Sequence, residues 1–328
     1  MNPDRATSVT TYRAPWWLPG GHLQTIYARS LARRYRVQYR RQRWETPDND
    51  FIDLDWLDPA ADGDKLIVVF HGLEGYSQSH YALSLMTVAA QQRWHGVVPH
   101  FRGCSGEANR LKRSYHSGDS REIDWILRRI KNVNVERQVY AVGVSLGGNM
   151  LLKWLGEEGS GASDVVRAVA AVSAPLDLVA AAGVLDFGFR RVLYTSHFLK
   201  FLRPKALAKI AAHNLPIDAR AIRASMTFRQ FDDLFTAPIH GFKDANDYWT
   251  RCSSKPWLKE IKVPTLIINA CNDPFLPSAA LPGRNDVADS VTLEFPRTGG
   301  HVGFVSGRFP GDLDWLPMRI LKFFQEDA

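Results

Sequence analysis

The chain has 328 residues, 45% apolar, 23% charged and 11% aromatic, which excludes a disordered or fibrous protein and supplies a large core. Its formal net charge of +7 is gathered at one end, because nine arginines and no acidic residue lie between Asp4 and Glu45. The three cysteines, Cys104, Cys252 and Cys271, are odd in number and form no CxxC pair, which argues against a disulfide framework or a structural zinc site and fits a reducing, cytoplasmic compartment.

Met1 to Thr11 shows no apolar run of the signal-peptide kind. The arginines that follow Asp4 are Arg5, Arg13, Arg29, Arg33, Arg34, Arg36, Arg40, Arg41 and Arg43. They predict a solvated basic helix and first strand, with peripheral contact to an anionic membrane as the alternative use of the charge. Val37 to Glu45 and Phe51 to Leu57 alternate with period two around Pro47-Asp48-Asn49-Asp50, so they predict an antiparallel hairpin. Lys65 to Phe70 is a short Val- and Ile-rich run, the pattern of a strand covered on both faces. From there strands and helices alternate. A helix is expected near His80 to Gln92, a strand near Gly96 to Pro99 and a helix near Asp119 to Lys131. A strand at Gln138 to Gly143, a helix at Leu146 to Gly156 and a strand at Val165 to Ser173 follow. The alternation predicts an α/β fold with a mainly parallel, doubly wound sheet. Val165 to Leu185 is the most apolar stretch, but Arg167, Pro175 and Asp177 interrupt it, so no membrane span is expected.

From Leu176 to Ser254 the alternation stops and the texture is helical, rich in aromatic and basic residues. This segment is expected to form a helical lid inserted into a single domain spanning residues 1–328. The sheet resumes at Val263 to Ala270 and Ser290 to Phe295, and a last helix is expected from Leu313 to Phe324.

Gly143-Val144-Ser145-Leu146-Gly147 sits between a strand and a helix. A serine on so tight a turn needs neighbours with almost no side chain, and the turn lifts its hydroxyl above the sheet edge. It also aims the first N–H groups of the next helix at whatever the serine attacks. The hydroxyl requires a base, and the base a carboxylate behind it. Asp273 and His301 follow the two later strands in the order Ser, Asp, His. His197, His213 and His240 are rival bases within the lid, and Asp177 is the alternative acid. Backbone N–H groups of Leu73, in His71-Gly72-Leu73-Glu74-Gly75, and of Leu146 are the expected oxyanion donors. His71 is expected to brace its loop. His100, Arg102, Cys104, His116 and Asp119 are expected to cluster near the pocket, with Cys104 as packing. No histidine or acid falls at metal-ligand spacing, so no metal is expected.

These motifs resemble the YheT-like branch of the α/β-hydrolase superfamily. The resemblance runs through Pro19-Gly20-Gly21-His22-Leu23-Gln24-Thr25, His71 to Gly75, Phe101-Arg102-Gly103-Cys104-Ser105-Gly106 and His116-Ser117-Gly118-Asp119. It continues through the turn at Ser145, Asn272-Asp273-Pro274 and Gly299-Gly300-His301-Val302-Gly303. It implies Ser145 as nucleophile, Asp273 as acid and His301 as base of a carboxylesterase, with no cofactor. Eukaryotic relatives of the family resemble membrane-anchored lipid esterases with an N-terminal membrane segment. No such segment is read here, and a soluble enzyme is expected. The activity expected is hydrolysis of short- to medium-chain acyl esters, the substrate being a small ester or lipid. Acyl transfer or thioester cleavage by the same residues, and a lipid- or partner-binding role on a hydrolase fold, are the alternatives. Nucleic acid is not an expected partner.

Overall fold

A computed structural model describes residues 11–32, 35–59 and 63–326; Arg5, Arg33 and Arg34 lie outside the described residues. Helix α1 (Gly21–Ser30) precedes the sheet. The strands are β1 (Arg40–Glu45), β2 (Phe51–Leu57), β3 (Lys65–Phe70), β4 (His95–Pro99), β5 (Gln138–Val144), β6 (Ala168–Val172), β7 (Thr265–Ile268) and β8 (Val291–Glu294). They form one eight-stranded sheet in the order β1-β2-β4-β3-β5-β6-β7-β8. The pairings of β1 with β2 and of β2 with β4 are antiparallel, and the other five are parallel.

Helices cover both faces because the strands are apolar on both. In β5, Val139 and Ala141 join the layer beneath α3 (Ser120–Val133) and α4 (Leu146–Glu158). Tyr140, Val142 and Val144 join the opposite layer with α2 (His80–Gln91) and the C-terminal helix Trp315–Glu326. Period-two alternation on a doubly covered strand gives this division.

The basic first strand is an exposed edge, which charged side chains protect from pairing with another chain. Much of its charge is spent across the ladder. Arg41 and Arg43 stand opposite Asp55 and Asp53 and form two-pronged ion pairs at 2.7–2.9 Å, while Arg40 pairs with Asp58. The alternation Arg-x-Arg against Asp-x-Asp is thus a cross-strand pattern.

Between β6 and β7 the chain leaves the sheet for a run of helices. It includes Leu178–Leu185, the long helix Ser196–His213, Ala219–Ala224 and Ala245–Cys252. The strands and helices expected from sequence all form, most ending within three residues of the expected bounds. Among the described residues, no helix is long and apolar enough to cross a membrane.

Candidate active site

Ser145 takes φ 53°, ψ −121°, a strained conformation at the junction of β5 and α4. Close packing explains the flanking glycines. A Cβ on Gly143 would lie 2.6 Å from the Gly147 carbonyl oxygen, and one on Gly147 would lie 2.5 Å from that of Phe70. The elbow is pinned by the Ser145 N–H to the Val172 carbonyl at 2.8 Å. Behind it the fully buried Asn149 binds the carbonyls of Ser117 and Cys252 and accepts from the Ser254 N–H, tying α4 to the end of the helical insertion.

His301 Nε2 lies 2.9 Å from Ser145 Oγ, and His301 Nδ1 lies 2.8 Å from Asp273 Oδ2. The structure therefore brings together the three residues singled out from sequence. Asp273 Oδ1 accepts the Phe275 N–H at 2.8 Å, so both of its oxygens are occupied. The Phe275 ring lies flat on the His301 imidazole, with centroids 3.9 Å apart. In this arrangement an imidazole can take a hydroxyl proton while a carboxylate fixes its other nitrogen.

The turn after β3 passes directly over the serine; a Cβ on Gly72 would lie 3.2 Å from Ser145 Cβ. Its N–H groups have separate assignments. Gly72 donates to Tyr81 Oη, Glu74 to Tyr115 Oη, and Gly75 to the Gly72 carbonyl. Among the described residues, none accepts from Leu73 N–H or Leu146 N–H, and these are the two expected oxyanion donors. His71 is buried beneath them. Its Nδ1 donates to the Gly72 carbonyl at 2.7 Å and its Nε2 accepts from the Phe101 N–H at 3.1 Å. Burial lowers its pKa to about 3, so it braces the turn as a neutral ring.

The rival residues are elsewhere employed. Asp177 caps helix Leu178–Leu185, accepting from the Ala180 N–H. His213 and His240 line the pocket, His240 against His116, and His197 packs edge-on against Phe198 and Phe201; His301, not these three, is bonded to Ser145. Arg102, Cys104 and His116 line the pocket as expected, whereas His100 and Asp119 do not. His100 lies against Asp55, and Asp119 accepts from Arg113. Burial pushes the Cys104 thiol up to about 12, which suits packing rather than reactivity.

Sequence reading missed the role of α1. Gln24 Oε1 accepts from the Gly299 N–H and from Asn272 Nδ2, Asn272 Oδ1 accepts from the Gly300 N–H, and Thr25 Oγ1 accepts from the His301 N–H at 2.8 Å. One helical turn thus holds both the loop that carries Asp273 and the loop that carries His301. Gly21 is required there because a Cβ would lie 2.0 Å from the Asn272 carbonyl oxygen. Buried polar residues inside the Pro19 to Thr25 motif were the available signal. On the other side of His301, His80 Nε2 donates to the Val302 carbonyl at 3.0 Å, and burial lowers its pKa to about 4.

The serine opens into a cavity of about 760 Å³ between the sheet edge and the insertion. Its walls are mainly apolar, among them Leu178, Leu185, Phe198, Phe231, Phe235 and Phe275. A cavity of this size suits a small organic ligand. Lys209 also lines it, donating to Asn109 Oδ1 and to the carbonyls of Leu111 and Arg113. Among the described residues, no three His, Cys, Asp or Glu side chains are grouped as metal ligands.

A model of the alpha/beta hydrolase fold matches residues 65–307. The Escherichia coli (strain K12) protein YheT, a supposed esterase by its name, is 42% identical over 303 residues, covering 91% of this chain and 88% of its own. Human phospholipase ABHD3 is 27% identical over 331 residues, covering 98% of this chain and 80% of its own. The Pyrococcus furiosus esterase Pf2001 has a similar fold, with a TM-score of 0.55 over 88% of this chain and 92% of its own at 15% identity. The matched model, the identity to YheT and the sheet order agree: this chain belongs to the α/β-hydrolase family, in its YheT-like branch.

Proposed function

We propose that the protein is a serine hydrolase that cleaves carboxylic esters of short to medium acyl chains through an acyl-enzyme. The observation that carries this reading is the unbroken hydrogen-bonded line from Asp273 through His301 to Ser145. Ser145 Oγ attacks the ester carbonyl carbon while its proton passes to His301 Nε2. The carbonyl oxygen, now negative, accepts from the Leu73 and Leu146 N–H groups. As the intermediate collapses, His301 returns the proton to the departing alcohol and the acyl group stays on Ser145. Water then gives a proton to His301 and attacks the acyl carbonyl; as this second intermediate collapses, the bond to Ser145 Oγ breaks, His301 returns the proton to Oγ, and the acid is released. Every proton and electron pair in both halves is carried by these residues and water, so no cofactor is called for.

The apolar walls beside Ser145 support an acyl chain as the group retained. The insertion supplies most of those walls, consistent with a lid. The three free cysteines fit a reducing, cytoplasmic setting. The decisive experiment is hydrolysis of p-nitrophenyl esters from acetyl to dodecanoyl by the wild type beside Ser145→Ala. Activity that peaks at one chain length and disappears in the variant supports the reading. Activity that survives in Ser145→Ala overturns it.

A further inference from the structure

Between Asp186 and Asp218 the chain runs through residues 187–217 without a carboxylate, and this stretch holds six lysines and arginines. Three of the six turn inward: Lys205 to Glu74, Lys209 to backbone carbonyls, and Arg203 to the Ser225 carbonyl. Among the described residues, Arg190, Arg191 and Lys200 are in no ion pair, and neither is Arg29 on the equally acid-free α1. The side chains between these cations are apolar and exposed: Phe187 at 73%, Phe189 at 67% and Val192 at 63% of their full surface.

Ring contacts join the insertion and α1 into one face. His22 of α1 stacks on Tyr194, hydrogen-bonds its hydroxyl at 2.8 Å and meets the edge of Phe189. Leu23 and Ile26 of α1 are exposed beside it. Two rings connect this face to the site, because the buried Tyr194 packs on Phe275 and Phe275 on His301. Phe201 belongs to both, being exposed at the surface and part of the cavity wall. Large apolar side chains in water are normal singly, but several together among unpaired cations mark an interaction surface.

We propose that this face docks the protein on an anionic lipid surface, seating the cavity mouth at headgroup level. Phe187, Phe189 and Val192 enter the boundary between headgroups and acyl chains. Arg29, Arg190, Arg191 and Lys200 meet the lipid phosphates. A neutral apolar partner would leave those cations unmatched, and an acidic soluble protein would not need protruding phenylalanines. The site of contact is therefore not the arginine-rich first strand, whose Arg40, Arg41 and Arg43 are already paired with carboxylates. The inference does not depend on ester cleavage, because binding is read without turnover.

The test is co-sedimentation of the full chain with vesicles of phosphatidylglycerol mixed with phosphatidylcholine, and with phosphatidylcholine alone. The wild type is expected to sediment with the anionic vesicles and to be released by salt. A Phe187→Ser/Phe189→Ser/Arg190→Gln/Lys200→Gln variant is expected to lose roughly tenfold or more of its vesicle affinity. Val192→Glu, a single carboxylate in the acid-free face, is expected to weaken binding in the same direction. A far-ultraviolet circular dichroism spectrum and melting temperature matching the wild type report that each variant is folded. A wild type that ignores anionic vesicles, or a four-site variant that binds as tightly as wild type, overturns the proposal. So does a loss confined to Arg40→Ala/Arg41→Ala.

Discussion

Lys205 Nζ, on the long insertion helix, lies 2.5 Å from Glu74 Oε2, on the turn that covers the serine. Glu74 directly follows Leu73, has a positive φ of 54° and is held a second time by Tyr115, whose hydroxyl donates to Oε1 and accepts from the Glu74 N–H. A side chain of the insertion thereby fixes the backbone that presents the Leu73 N–H. Lys205 is partly exposed, so the pair contributes at most about 1 kcal/mol to stability. Its effect on rate is expected to be larger, because the Leu73 N–H is the proposed oxyanion donor and such a donor works only in position. Lys205→Met is expected to lower kcat about tenfold, with KM for a short ester little changed and Lys205→Arg restoring most of the loss. Steady-state kinetics on the three proteins, with melting temperatures as control, decide it.

On the proposed mechanism Ser145 and His301 act as one unit, so their losses should not add. Ser145→Ala and His301→Ala are each expected to lower kcat on the order of 10⁴-fold or more, and the double variant no further than the worse single. A double variant much slower than both would show that one of the two acts alone.

Gly147 tests the packing of the elbow. A methyl group there meets the backbone oxygens of Phe70 at 2.5 Å and His71 at 2.6 Å, and neither can withdraw without moving β3. Gly147→Ala is expected to cost about 3 kcal/mol in urea unfolding. Gly161→Ala is the comparison: its methyl meets only a side-chain oxygen of Glu158 at 3.5 Å, and a change within about 0.5 kcal/mol is expected.

Asp232, buried in the insertion, accepts from Thr236 Oγ1 at 2.6 Å and from Trp249 Nε1 at 2.8 Å. Burial raises its pKa from 3.8 to about 7, with Asp186 and Asp233 adding to the effect. The folded protein therefore binds a proton that the unfolded chain releases. The contribution to stability is complete below about pH 4 and is lost as pH rises through about 7. Asp232→Asn, which keeps an uncharged group in place, should flatten that decline. Melting temperatures from pH 5 to 8 should fall more steeply in the wild type than in the variant. Parallel curves would locate the charge elsewhere.

Much of this was legible because it is local. Strand alternation located the hairpin, and steric need at Gly143 and Gly147 located the serine. The order of chain elements put Asp273 and His301 on the loops after the two later strands, and the structure brings both to Ser145. What could not be read are contacts over long separations with no periodic trace. The bonds from Gln24 and Thr25 to Gly299 and His301 cross 275 and 276 positions, and the pairing of Lys205 with Glu74 joins the insertion to the turn after β3. Nor does composition distinguish the inward-facing Lys209 from the outward-facing Lys200. Only the packing of the insertion separates them.

The clamp formed by α1 gives the reacting groups two foundations of unequal strength. Ser145 is built into the centre of the sheet, whereas Asp273 and His301 are moored to a ten-residue helix near the start of the chain. Short surface helices open at lower free energy than central strands. As denaturant rises, esterase activity is therefore expected to disappear before far-ultraviolet circular dichroism changes, and Thr25→Val should widen that gap. Coincident loss of the two signals would show one cooperative unit. A protein assembled in this way can fall silent while still folded, Ser145 in place and His301 adrift.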